Sequence, residues 1–89
     1  MISIIDFYAN WCNPCKKLEP HLKEIEINYP DIKVRKINIE DENQKELIDK
    51  YNINSLPTLV IIDEDTNKIL SKIEGFNLPL ILEEISKYA

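Results

Sequence analysis

Glycine, histidine and long apolar runs are nearly missing from this chain of 89 residues: Gly75 and His21 are the single members of their kinds. One glycine leaves no Gly-rich loop to cradle a phosphate, so no nucleotide-binding fingerprint is present. The longest apolar run, Leu59-Val60-Ile61-Ile62, falls far short of the ~20 residues that cross a bilayer. No secretory leader is read at the start, where Met1 runs straight into a strand-like stretch without a basic region or a small-residue cleavage site. Basic residues are outnumbered 11 to 16 by acids, for a net charge of −5. The acids are scattered, and Lys16-Lys17 is too small a patch to hold nucleic acid. The acidic balance reads as ordinary solubility. The expected location is the cytoplasm, where a structural disulfide would not persist.

With 44% apolar and 30% charged residues, the composition is that of a soluble globular protein. The length argues for one domain over 1–89. Ile2–Tyr8, rich in β-branched and aromatic residues, reads as a buried strand interrupted by Asp6. Asn10-Trp11-Cys12-Asn13-Pro14 reads as a turn into a helix, with Pro14 in its first turn. Cys15, Leu18, Leu22, Ile25 and Tyr29 then recur at helical spacing, with Glu19 and Lys23 as an i,i+4 pair. Pro20 is expected to kink this helix and Pro30 to stop it. Ile32–Ile39 reads as a strand covered on both sides. Asp41-x-x-Gln44 predicts a capping box for a helix over Asn43–Tyr51 that buries Leu47, Ile48 and Tyr51. Thr58–Ile62 and Lys68–Glu74 read as a hairpin around Asp63–Asn67, with Ile69 and Ile73 on one face. Asn77 caps a last helix over Leu78–Tyr88. The order β-α-β-α-β-β-α predicts an α/β fold, a mixed four-stranded sheet with helices on both faces.

Chemistry concentrates at Cys12-Asn13-Pro14-Cys15. A C-x-x-C pair is half of a zinc site or a redox dithiol. Two cysteines and one histidine do not assemble a closed four-ligand site in one chain, and His21 reads as a surface residue. At a strand-to-helix junction the unpaired N–H groups and the positive helix end favour a thiolate at Cys12. Its pKa should lie below the free-thiol value of roughly 8.5. Cys15, one turn further in, should be the less exposed of the two and able to resolve a mixed disulfide on Cys12.

The stretch Asp6-Phe7-Tyr8-Ala9-Asn10-Trp11-Cys12-Asn13-Pro14-Cys15-Lys16 resembles the active-site signature of the thioredoxin family, and Pro20 falls where that family kinks its helix. Lys36-Ile37-Asn38-Ile39 is similar to a strand pattern of the family, and Leu56-Pro57-Thr58 to its cis-proline loop. Gly75 matches a glycine flanking the substrate groove. The usual thioredoxin has a further strand and helix before the position of Ile2, so a minimal thioredoxin-like fold is expected. Asn13 stands where glycine is usual between the cysteines. The exchange bears on the redox potential, because ~30 mV corresponds to ~1.4 kcal/mol for this couple. Pro14 resembles the reducing members.

The resemblance implies a protein-disulfide reductase in which Cys12 is the nucleophile and Cys15 the resolving thiol. It implies that Asp6 is a buried acid that accepts and returns the Cys15 proton through water, and that Lys36 tunes that acid. A carboxylate inside an apolar strand is costly unless paired or protonated; an edge-strand aspartate facing solvent is the plain alternative, as a surface lysine is for Lys36. Pro57 is expected to be cis, presenting the Leu56 backbone to an extended substrate. Trp11, Asn13, Pro14, Leu56, Pro57, Gly75 and Phe76 form the expected substrate-binding surface, although Trp11 could instead be core. Tyr8 reads as packing. The expected partners are disulfide-containing proteins and an external reductase of the thioredoxin-reductase type. No cofactor, metal, nucleic acid or membrane is expected, and the chain is expected to be a monomer. A glutathione-linked glutaredoxin and a metal-bridged or non-catalytic binding module are the rival readings.

Overall fold

The β-branched run at the start of the chain forms strand β1 (Ile2–Tyr8), one of the two inner strands of a sheet ordered β2-β1-β3-β4. The computed structural model describes all residues, 1–89. Strand β2 (Lys33–Asn38) pairs parallel with β1, placing Lys36 opposite Asp6. Strand β3 (Thr58–Asp63) pairs antiparallel with β1 and with β4 (Lys68–Glu74). The expected α/β architecture is present, with helices on both faces of a mixed sheet.

Alternation along the strands divides the core. Ile4, Leu59, Ile61 and Ile73 meet Leu18, Leu22 and Ile25 of helix α1 (Asn13–Asn28) and Ile81 and Ile85 of helix α3 (Leu78–Tyr88). Ile5, Phe7, Ile37, Val60 and Ile62 form the opposite cluster with Tyr51, which follows helix α2 (Lys45–Lys50). Asp6 shares the parity of Ile4 and so projects toward α1.

Three expectations need correction. Strand β2 is an edge strand rather than one covered on both sides, and Ile37 is its one fully buried residue. Its open edge carries exposed Lys33 and Lys36, the charges that discourage further pairing. Ile32 and Ile39 lie beyond its ends and pack against opposite clusters. Second, Asp41 accepts the Asn43 N–H at 3.0 Å, an Asx-type bond reaching two residues on. It opens a 3₁₀ turn over Glu42–Gln44, so α2 begins at Lys45 with no side-chain cap from Gln44. Third, a register shift at Ile61/Ile62 separates Ile69 from Ile73. Ile73 is buried and Ile69 is 49% exposed, while Leu70 packs toward the core.

The helix termini follow their signals. Cys12 caps α1, which continues through Pro20, and the Asn77 side chain accepts the Leu80 N–H at 3.3 Å to cap α3.

Candidate active site

Strand β1 ends at Tyr8, and a short turn delivers Cys12 to the N-cap of α1 in an extended conformation, with φ −87° and ψ 105°. There the Cys12 sulfur accepts the Cys15 backbone N–H at 3.2 Å. The end of a helix offers such unpaired amides, and its dipole favours negative charge. Cys12 and Cys15 are joined as a disulfide with their Cα atoms 5.3 Å apart.

The expected contrast in exposure between the two cysteines is absent: Cys12 is 5% and Cys15 4% exposed. What separates them is the space each one borders. Cys12 opens onto a groove of about 580 Å³ together with Trp11, Asn13, Pro14, Ile39, Ile48, Ile53, Asn54, Ser55 and Leu56. Cys15 borders a smaller cavity of about 220 Å³ on the other side of the helix start, with Asp6, Tyr8, Ala9, Asn10, Lys16, Glu19 and Lys36.

Asp6 is 1% exposed, and its Oδ1 has no hydrogen-bond partner. Loss of hydration is the largest influence on its carboxyl and pushes the pKa up to about 6; the Lys36 charge pulls it down and Glu19 pushes it further up. Lys36 sits beside Asp6 in the sheet register, as expected, but its ammonium is hydrogen-bonded elsewhere. It donates to Glu19 Oε1 at 2.7 Å and lies 4.6 Å from the centre of the Tyr8 ring, within cation–π range. Glu19 spends its hydrogen bond on Lys36, which holds its carboxyl below the usual range, and Lys23, its expected i,i+4 partner, adds a smaller favourable charge interaction without a hydrogen bond. Helical spacing offers no hint of this contact, because it depends on how α1 crosses β2. Tyr8, read as packing, also holds a charge.

The candidate binding residues divide. Trp11 is 64% exposed and borders the groove with Asn13, Pro14 and Leu56. The Leu56–Pro57 peptide is cis. Pro57 is buried and is not among the residues that line the groove; its carbonyl accepts the Gly75 N–H at 2.8 Å, while Thr58 Oγ1 donates to the Ser55 carbonyl at 2.6 Å. Gly75 has φ +84°, a region that favours glycine. Neither Gly75 nor Phe76 borders the groove, contrary to expectation. The Phe76 ring instead faces His21 at 6.0 Å between centroids, and His21, read as a surface residue, is half-buried beside it. Reading the sequence alone missed Ile39, Ile48 and Ile53, which wall the groove. Their only signal was apolar character just outside or on the inner side of β2 and α2. No group of three or more His, Cys, Asp or Glu side chains is placed to hold a metal ion, and no helix is long and apolar enough to cross a membrane.

Comparison with known proteins matches the thioredoxin family model over residues 1–86. Thioredoxin-T of Drosophila melanogaster is 39% identical over 87 residues, covering 97% of this chain and 53% of that protein, so the chain spans about half the length of this relative. The thioredoxin of Chlamydia pneumoniae is 34% identical over 86 residues, 97% of this chain and 81% of the relative. Among solved structures, oxidised mitochondrial thioredoxin 3 of Saccharomyces cerevisiae superposes with a TM-score of 0.83 at 32% identity, covering 99% of this chain and 78% of that one. The chain belongs to the thioredoxin family, whose members are thiol–disulfide oxidoreductases, and it carries the disulfide of that chemistry at Cys12–Cys15.

Proposed function

We propose that the chain, working as a single thioredoxin-like domain over 1–89 and as a monomer, reduces protein disulfides. The observation that carries this reading is the unequal setting of the two sulfurs. Cys12 sits at a helix N-terminus beside an open groove, and Cys15 faces a cavity holding a buried acid.

In the reduced protein the Cys12 thiolate attacks one sulfur of a substrate disulfide. A Cys12–substrate disulfide forms, and the other substrate sulfur leaves as a thiolate. Cys15 gives its proton to ionised Asp6, and its sulfur attacks Cys12. The Cys12–Cys15 disulfide closes, the second substrate sulfur leaves as a thiolate, and protons taken up by the substrate thiolates complete the two-electron reduction. An external dithiol reductase of the thioredoxin-reductase type returns the two electrons, and no bound cofactor takes part. Lys36 tunes Asp6. Leu56 and the isoleucines of the groove give a substrate segment an apolar seat, with Trp11, Asn13 and Pro14 as its rim; Pro57 follows Leu56 directly and is tied to Gly75 by the hydrogen bond to its carbonyl. The proposed compartment is the cytoplasm. The chain has no cysteine beyond the reactive pair, so it holds no separate structural disulfide that an oxidising compartment would preserve.

The test is mixed-disulfide trapping. Cys15→Ser is expected to retain protein substrates on Cys12 as adducts that dithiothreitol releases, and Cys12→Ser to retain at least tenfold fewer. Equal retention by the two variants would reject the assigned roles.

A further inference from the structure

The cavity behind Cys15 is lined by two charged groups that the proposed reaction does not use, Lys16 and Glu19, and of these Glu19 is hydrogen-bonded to Lys36. The polar and titratable groups that line this cavity with Asp6 are Lys16, Glu19 and Cys15 from α1, Lys36 from β2, Tyr8 from β1 itself and Asn10 from the turn after it; the β3 neighbour of Asp6 is Leu59. Lys36 stands opposite Asp6 in register and is the natural counter-ion for a buried carboxylate. Its hydrogen bond nevertheless goes to Glu19 at 2.7 Å, the Tyr8 ring supports the ammonium from another side, and Asp6 Oδ1 remains without a partner.

We propose that Glu19 is a positioning residue of the redox site: by binding Lys36 at the cavity mouth it withholds that cation from Asp6 and leaves the acid able to take up and return the Cys15 proton. This inference rests on the reading of Asp6 as the proton partner of Cys15. The physical contrast is between two places for one ammonium. Bonded to Glu19, it is shared with a carboxylate at the partly hydrated mouth. Bonded directly to Asp6, it would stabilise the ionised acid and make it a weaker base. Glu19 lies on the helix turn after Cys15, so one segment supplies both the resolving sulfur and the group that governs its proton acceptor.

The test follows the Asp6 carboxyl by ¹³C NMR in the oxidised protein, where neither cysteine titrates, for the wild type, Glu19→Gln, Lys36→Met and the double variant. Glu19→Gln is expected to move the Asp6 inflection to lower pH by about 1 unit or more, the effect of a cation brought against a carboxylate. In the Lys36→Met background the same exchange is expected to move it less than half as far. An unmoved inflection, with or without a lowered melting temperature, would show a merely structural ion pair and overturn the proposal. A shift of equal size in both backgrounds would overturn it too, since Glu19 would then act through its own charge alone. The underlying reading has its own arm: Asp6→Asn in the reduced protein is expected to displace the Cys15 thiol titration. If that titration stays put, the proton-partner reading falls and takes the proposal with it; if it moves while the Glu19 arm fails, only the Glu19 role is lost.

Discussion

Asp6 links the chemistry of the site to the stability of the fold. Its carboxyl rises from 3.8 to about 6 on folding, chiefly because burial removes its hydration. The folded state therefore holds this proton more tightly than the unfolded chain. The Asp6 contribution to stability is most favourable below pH 3.8, declines as pH rises through 6, and is constant above. The difference corresponds to about 3 kcal/mol for an isolated group. Asp6→Asn, uncharged throughout, should gain on the wild type by up to about 3 kcal/mol at pH 8, less the cost of burying an amide, and should lose that advantage at pH 4. Urea unfolding of both proteins at the two pH values checks this, and parallel pH dependences would exclude the burial argument. The difference between the two proteins isolates Asp6 from the acids whose pKa falls on folding, Glu19 and Glu84. Asp6 and the cysteine pair were legible in the sequence because their signals are local: a carboxylate inside an apolar strand, and two thiols one turn apart at a helix start. The Glu19–Lys36 bond was not, since an i,i+4 rule points Glu19 to Lys23, and only the packing of α1 over β2 brings Lys36 within reach.

Strand β4 shows how an element can be read correctly in extent and wrongly in register. Its span, Lys68–Glu74, follows from the polar loop before it and Gly75 after it, and α3 is bounded as cleanly by Asn77 and Pro79. A period of two puts Ile69 and Ile73 on one face. The irregularity opposite Ile61/Ile62 breaks that period and leaves Ile69 in solvent, and a bulge of this kind carries no mark in composition. The consequence is measurable. Ile73→Ala, opening a cavity beneath α1 and α3, should cost about 2–4 kcal/mol, whereas Ile69→Thr should stay within about 0.5 kcal/mol of wild type. Denaturant midpoints of the two variants decide it; comparable losses would mean that Ile69 is buried after all. The ends of β2 and α2 were harder to place for a related reason. An edge strand has one neighbour to enforce its length, and a helix entered through a 3₁₀ turn has no sharp first residue.

The two faces of the sheet are unequal. Ten buried residues join α1 and α3 to one side, and six fill the other, where the only helix is the short α2. Helix α2 itself contains no fully buried residue and lacks a side-chain cap; it is held by Tyr51 beyond its end and by half-buried Leu47 and Ile48. Regions with few buried apolar contacts open at a lower free energy than the core. Amides of Lys45–Leu56 should therefore exchange with solvent through local opening, while those shared by β1 and β3 exchange only through global unfolding. This weaker side is also the side of the groove, since Ile48, Ile53 and Leu56 form its wall beside Cys12. Under the proposed function, a wall that opens locally would fit substrate segments of different shape, and the more heavily packed α1 face would keep the two sulfurs and Asp6 in fixed relation. Native-state hydrogen exchange on Cys15→Ser, free and carrying a peptide disulfide-linked to Cys12, tests both parts at once. Protection over Lys45–Leu56 should rise at least tenfold in the adduct, with β1 and β3 little changed. Protection that is uniform in the free protein, or an adduct that leaves this segment unaltered, would remove the groove wall from the binding surface.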